Sequence, residues 1–240
     1  MSHRYGNHLA LAGFDAAAQQ RISEAHVVVV GLGGIGAPAA LYLAAAGVGT
    51  LTLCDFDRVS EANLSRQVLY GEDDVGQLKV EAAAAALRRQ RKDLNVVPLN
   101  GRIDAATLVS FQQHAHLWLD ASDNYATRLA VNVAAEQLRQ RWLMAAAIRR
   151  EGQLAVFDPA ADNGCYACLY GDALGVLDDC AGAGVLSTVA GAVALAAAQR
   201  CLEILATARA APAFSLYDGA ALSWQHLKLT RRPDCDVCGA

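Results

Sequence analysis

The sequence predicts an α/β fold: a Rossmann-like, mostly parallel sheet with helices on both faces, followed by a smaller antiparallel section. Three observations carry this expectation. The β-branched run 27–30 leads directly into the glycine loop Gly31-Leu32-Gly33-Gly34-Ile35-Gly36. Strand-like and helix-like stretches then alternate to about residue 147, the order that crossover helices on a parallel sheet require. From Gln153 the remaining strands lack intervening helices of crossover length.

Taken in order, 27–30 has the continuous apolar character of a central strand buried on both faces. The loop turns it into a helix over 37–46, with Pro38 in the first turn, where no backbone donor is lost. Gly47-Val48-Gly49 ends that helix, and 50–54 supplies a second strand closing at Asp55, which completes a βαβ unit. A helix over 79–90, a strand over 95–99, a further helix, and a strand over 116–120 follow. A helix over 127–139 and a strand over 142–147 complete this half. Beyond it come strands over 154–157, 214–217 and 222–229, with a long Gly- and Asp-rich loop over 171–184 and an apolar helix over 186–206 between the first two.

Composition narrows the function classes. At 240 residues and 54% hydrophobic content the chain can build a continuous core. A formal net charge of -4 gives no basic surface of the kind nucleic acid needs. The N-terminus has neither an apolar h-region nor a small-residue cleavage site, so a cytoplasmic protein is expected. The apolar stretch 185–198 stops at Gln199-Arg200 and Glu203, short of the roughly 20 residues of a membrane span, and reads as a buried helix.

Gly31, Gly33 and Gly36 with Asp55 some twenty positions later satisfy the dinucleotide fingerprint, in which the carboxylate holds a ribose hydroxyl. Alone they favour an NAD-linked oxidoreductase. The sequence downstream argues for a different nucleotide. Asp55-Phe56-Asp57 runs on to Asn63-Leu64-Ser65-Arg66-Gln67, and Lys79 follows. In a helical turn Asn63 and Arg66 share a face at i,i+3, and arginine with lysine suits a triphosphate better than a nicotinamide. An ordinary solvated charge cluster is the plainer alternative. Asp123 and Asn124, in Asp120-Ala121-Ser122-Asp123-Asn124, stand at the strand edge where open α/β sheets bind ligands. A carboxylate there suits Mg²⁺ with substrate phosphates, and an Asx turn or helix N-cap explains a lone Asp equally simply.

Seven cysteines in a chain expected in the cytoplasm make spacing, not disulfide pairing, the informative quantity. Cys165-x-x-Cys168 and Cys235-x-x-Cys238 provide four thiolates, enough for a closed structural Zn²⁺ site that ties the C-terminus back to the second half. A redox role for either pair alone is the alternative. Cys54 and Cys201 read as core residues. Cys180 lies in the long loop just before a helix and reads as a working thiol.

In their order and spread these motifs resemble the bacterial relatives of ubiquitin-activating enzymes, the ThiF/MoeB/HesA adenylyltransferases. The resemblance implies that ATP is consumed to join the C-terminal Gly-Gly carboxylate of a small ubiquitin-like sulfur carrier to AMP, releasing pyrophosphate. It places Gly34 against the nucleotide, Asp55 on the ribose, Arg66 and Lys79 on the phosphates and Asp123 on Mg²⁺. It further implies a homodimer, an external sulfur donor, and participation of Cys180 in sulfur transfer. One departure stands out: the N-terminal arm reads Arg4-Tyr5-Gly6-Asn7-His8, with Asn7 where relatives carry a second arginine. The expected organisation is a single adenylation domain over 1–240, residues 1–150 forming its nucleotide-binding half and 151–240 its carrier, crossover-loop and zinc half. An NAD-binding oxidoreductase and a non-catalytic carrier-binding module are the rival readings.

Overall fold

The structure is a computed structural model that describes residues 3–110, 115–161, 163–171, 184–207, 209 and 213–239. Among the described residues, eight strands make one mixed sheet. They are β1 (His26–Val30), β2 (Thr50–Asp55), β3 (Asn95–Asn100), β4 (Leu117–Asp120), β5 (Trp142–Ile148), β6 (Glu151–Phe157), β7 (Ala213–Asp218) and β8 (Ser223–Leu227). Their order is β3-β2-β1-β4-β5-β6-β7-β8. The pairs from β3 to β5 are parallel, and those from β5 to β8 are antiparallel. The antiparallel section expected from the sequence thus continues the parallel sheet through the β5–β6 hairpin, where Ile148 pairs with Glu151 and Arg149 takes φ 53°.

The helices are α1 (Gly6–Leu9), α2 (Ala16–Glu24), α3 (Gly36–Ala46), α4 (Lys79–Gln90), α5 (Ala105–Ser110), α6 (Tyr125–Leu138), α7 (Tyr166–Tyr170) and α8 (Ser187–Thr207). Strand alternation divides the core in two. Val27 and Val29 of β1 join Leu43, Leu51, Leu53, Leu87 and Val193 on the face covered by α2, α3, α4 and α8. Val28 and Val30 face the other side, with Trp118, Trp142, Phe157, Tyr166 and Val131 of α6. By length and composition α8 could cross a membrane. In the fold, Val189, Val193, Ala197, Cys201 and Ile204, spaced at helical periodicity, are buried in the first cluster.

Helix ends follow local chemistry. Asp15 caps α2 by accepting from Ala18 N–H at 2.8 Å, and Asn124 caps α6 by accepting from Thr127 N–H at 2.9 Å. Gly47, at φ 106°, ends α3 in the left-handed conformation. Tyr5 of the N-terminal arm lies over that glycine, its ring 2.8 Å from where a Cβ would stand. Chain direction changes side between β1 and β4, which opens a crevice at the C-terminal ends of β1, β2 and β4. Ligands of open α/β sheets bind at such a switch point.

Candidate functional site

Two glycines build the loop at that crevice by necessity. Gly31 has φ 84°, and a Cβ on it would stand 2.8 Å from the Ala121 carbonyl oxygen; a Cβ on Gly36 would fall 1.8 Å from the Gly31 carbonyl oxygen. The loop is braced from β2: Gly31 N–H donates to the Cys54 carbonyl at 2.8 Å, and Leu32 N–H donates to Asp55 Oδ2 at 2.7 Å. Asp55 Oδ1 accepts from Asp57 N–H at 2.8 Å. Each oxygen of this half-buried carboxylate keeps a lone pair for a ligand hydroxyl. Tyr70 closes the other side by donating to the Leu32 carbonyl at 3.0 Å, and burial, then the Asp55 and Asp74 carboxylates, push its hydroxyl pKa well up.

The helical turn expected over 63–67 forms, with Gln67 N–H on the Asn63 carbonyl at 2.9 Å. Its two amides hold each other: Gln67 Nε2 donates to Asn63 Oδ1 at 2.8 Å, and Asn63 Nδ2 donates to Ser60 Oγ at 2.6 Å. Asn63 therefore orders the turn, and Arg66 is the member of the pair that reaches the loop. Its Cγ lies 3.3 Å and its Cδ 3.5 Å from where a Gly34 Cβ would stand, with Ala190 Cβ of α8 at 3.4 Å. Gln67 Nε2 lies 3.8 Å from the corresponding point of Gly33, and Gln67 Oε1, buried, has no partner. Lys79, the first residue of α4, is buried with its Nζ 2.9 Å from Oδ2 of the half-exposed Asp57. Asp57 therefore ties Lys79 to the strand end that also carries Asp55.

The turn after β4 completes the crevice. Asp120 is fully buried; its Oδ1 accepts from Ser122 N–H at 2.8 Å, and its Oδ2 has no partner. Burial pushes its carboxyl pKa up, against the pull of Arg128 and Ser122. Asp123 is exposed, and Asn124 is the helix cap already described. Both readings weighed for this stretch hold at different residues: Asp120 makes the Asx turn and Asn124 the cap, which leaves the Asp123 carboxylate as the donor available to a cation.

The four cysteines of the two pairs meet on the other side of the sheet. Their sulfurs all lie within 4.8 Å of one another, at 3.9 Å for Cys165–Cys168, 3.7 Å for Cys165–Cys235 and 3.3 Å for Cys168–Cys238. Sulfurs at the corners of a tetrahedron with Zn–S bonds of about 2.3 Å stand roughly 3.8 Å apart, so the donor set fits Zn²⁺. Asn132 of α6 donates to Cys165 Sγ at 3.5 Å, and Arg232 N–H donates to Cys168 Sγ at 3.3 Å. Burial pushes the Cys165 thiol up. Burial also raises Cys235, yet the N–H groups of Cys238 and Val237 and the neighbouring thiols outweigh it and bring that thiol to about 7. Cys54 and Cys201 are buried core residues whose thiols burial pushes up to about 12, as expected of inert positions. Cys180 lies outside the described residues.

Sequence reasoning missed Arg128 and Asn132, which stand one helical turn apart on α6. Arg128 Nη2 donates to the Ser122 carbonyl at 2.5 Å, and buried Asn132 accepts from Tyr166 N–H at 3.0 Å besides reaching Cys165. A signal for Arg128 was present: a cation in the first turn of a helix opposes the macrodipole and calls for a local anion.

Residues 5–237 match the ThiF family. The chain is 39% identical over 242 residues to the molybdopterin-synthase adenylyltransferase of Salmonella typhimurium, covering 98% of this chain and 96% of that protein. It is 35% identical over 237 residues to the sulfur carrier protein ThiS adenylyltransferase of Escherichia coli, covering 98% and 94%. Among solved structures, E. coli MccB with ATP superposes with a TM-score of 0.85 at 23% identity, over 100% of this chain and 75% of that one. At that identity the likeness is one of fold.

Proposed function

The chain belongs to the ThiF family, and from that premise we propose that it is an ATP-dependent adenylyltransferase of a ubiquitin-like sulfur carrier. The carrier's C-terminal Gly-Gly carboxylate attacks the α-phosphorus of ATP, a carboxylate–phosphorus bond forms, and pyrophosphate leaves. The attacking oxygen is already ionised, so no general base is required; the protein must orient the reactants and stabilise the charge that accumulates on the phosphates.

The observation that carries this reading is a pair of cations at one crevice. Arg66 lies over Gly34 of the glycine loop, and Lys79 is paired with Asp57, two residues beyond the Asp55 that braces that loop. This pair suits a triphosphate better than a nicotinamide. In the proposed roles Asp55 accepts from the ribose, Gly31, Gly33, Gly34 and Gly36 let the backbone approach the nucleotide, and Asn63 and Gln67 hold Arg66 in place. Asp123 and Asn124 face the phosphates from the β4 turn. Mg²⁺ there would be held by the Asp123 carboxylate and would supply charge neutralisation for the phosphates. Zn²⁺ held by Cys165, Cys168, Cys235 and Cys238 would be structural, since all four ligand positions are protein thiolates.

The rest of the proposal extends the same reading. One adenylation domain over 1–240 divides into a nucleotide half, 1–150, and a carrier and zinc half, 151–240. Cys180 serves sulfur transfer from an external donor, the active form is a homodimer, and the reaction runs in the cytoplasm, where thiols stay reduced. Exchange of labelled pyrophosphate into ATP tests the core of it. With Mg²⁺ and a small Gly-Gly carrier, the purified protein is expected to support exchange, and NAD is expected not to bind. NAD binding without exchange would make it an oxidoreductase, and carrier binding without exchange a non-catalytic module.

A further inference from the structure

Ser122 is gripped from both sides. Its N–H donates to Asp120 Oδ1 at 2.8 Å, and its carbonyl accepts from Arg128 Nη2 at 2.5 Å. Asn124 is held as the cap of α6. Asp123 stands between two fixed residues, and its exposed carboxylate points where they allow.

The grip depends on Arg128. The Asp120 carboxylate is fully buried, and the positive charge of Arg128 is the largest influence opposing the cost of that burial. The guanidinium also meets the Tyr166 hydroxyl. Tyr166 belongs to the cysteine knuckle, where Asn132, one turn beyond Arg128 on α6, binds its N–H. Asp120 Oδ2, Ser122 Oγ and Arg128 Nε are all buried without a partner. A cation that opposes the dipole of its own helix, and that leaves buried donor capacity unused, is placed by something other than helix stability.

We propose that Arg128 is a positioning residue for the cation site: by holding the Ser122 carbonyl it sets where the Asp123 carboxylate stands against the nucleotide phosphates. This rests on the reading of Asp123 given under Proposed function. Arg128 reaches the cation only through the Ser122 peptide, as outer-shell partners of metal ligands do.

Mn²⁺ titrated by electron paramagnetic resonance into the protein with a nonhydrolysable ATP analogue reads the site without turnover. Arg128→Lys keeps a charge beside Asp120 and with it the fold, but lacks the planar fork. It is expected to bind Mn²⁺ about tenfold more weakly than wild type, with its unfolding temperature nearly unchanged and kcat for pyrophosphate exchange reduced at subsaturating Mg²⁺. The double variant Asp120→Asn with Arg128→Met removes the buried carboxylate and its counter-charge together and is expected to keep the weakened Mn²⁺ affinity. Wild-type Mn²⁺ affinity in either folded variant would reduce Arg128 to a counter-ion of Asp120 and overturn the proposal. Asp123→Asn separates this outcome from failure of the underlying reading: if it binds Mn²⁺ as wild type does, Asp123 holds no cation and the reading of Asp123 falls first.

Discussion

The nucleotide crevice borders the first turn of α6 and the cysteine knuckle packs along the same helix through Asn132, and the two are held together by different means. At the crevice the glycine loop is packed against the β4 turn so closely that a methyl group at Gly31 would meet the Ala121 carbonyl, and both sheet faces beneath it are filled by large apolar clusters. In the knuckle Tyr166 is anchored in the second cluster, but the cysteines themselves have less such support. Their cluster is Cys165, Cys235 and Cys238 with Ala167, Cys168 and Val237 packed on them, and α7 has only five residues. Backbone packing preorganises the first region; the second gathers four sulfurs whose spacing fits a metal. The phosphate edge is thus expected to keep its shape with or without ligand, and the C-terminal segment to depend on zinc.

The largest effect should come from breaking the knuckle. Cys238→Ser, or exhaustive chelation, is expected to remove about one Zn²⁺ per chain and to destabilise the protein by several kcal/mol, because metal binding free energy is folding free energy there. Metal analysis alongside thermal unfolding checks this, and full stability without zinc would erase the contrast between the two regions.

Next in size is Lys79→Ala. It removes a cation from the crevice and frees only a half-exposed Asp57, so adenylation should fall by about 10²–10³-fold while the unfolding temperature changes little. Steady-state exchange kinetics with a melting curve separate these. Collapse of the fold would make Lys79 a structural residue, and unchanged exchange would make it idle.

A smaller, paired effect sharpens the account of the loop. Gly36→Ala forces a methyl against backbone and should cost about 3 kcal/mol, whereas Gly34→Ala meets the movable Arg66 stem and should cost less than about 1 kcal/mol. Chemical denaturation measures both. Equal costs at the two positions would mean that the loop is softer than its contacts imply.

How much of this was legible beforehand follows from the range of each interaction. The strand, loop and helix around Gly31–Gly36 could be read because a glycine loop, Pro38 and the β-branched run act over a few neighbouring residues. The four cysteines could be read as one site because two CxxC pairs together supply a complete set of four soft ligands. The Lys79–Asp57 pair could not, although both residues were singled out, since nothing local says that a lysine opening α4 returns to the end of β2. Arg128 escaped for a similar reason: its partners, Ser122, Asp120 and Tyr166, are united only when β4, α6 and the knuckle pack together.

By itself, then, the sequence determined the βαβ opening, the alternation that makes the parallel half, the glycine loop with its acidic partner and the four-cysteine cluster, because periodicity, turn chemistry and ligand type are properties of short stretches. Tertiary structure alone decided that the antiparallel strands extend the same sheet rather than form a second one, because the free edge of β5 is paired by β6 through a hairpin. It also decided which polar side chains reach the glycine loop and which face each other. Asn63 and Gln67 bind one another while Arg66 reaches the loop, a choice made by the packing of the 63–67 turn and α8 over Gly34, residues far apart in the chain whose contacts no local pattern encodes.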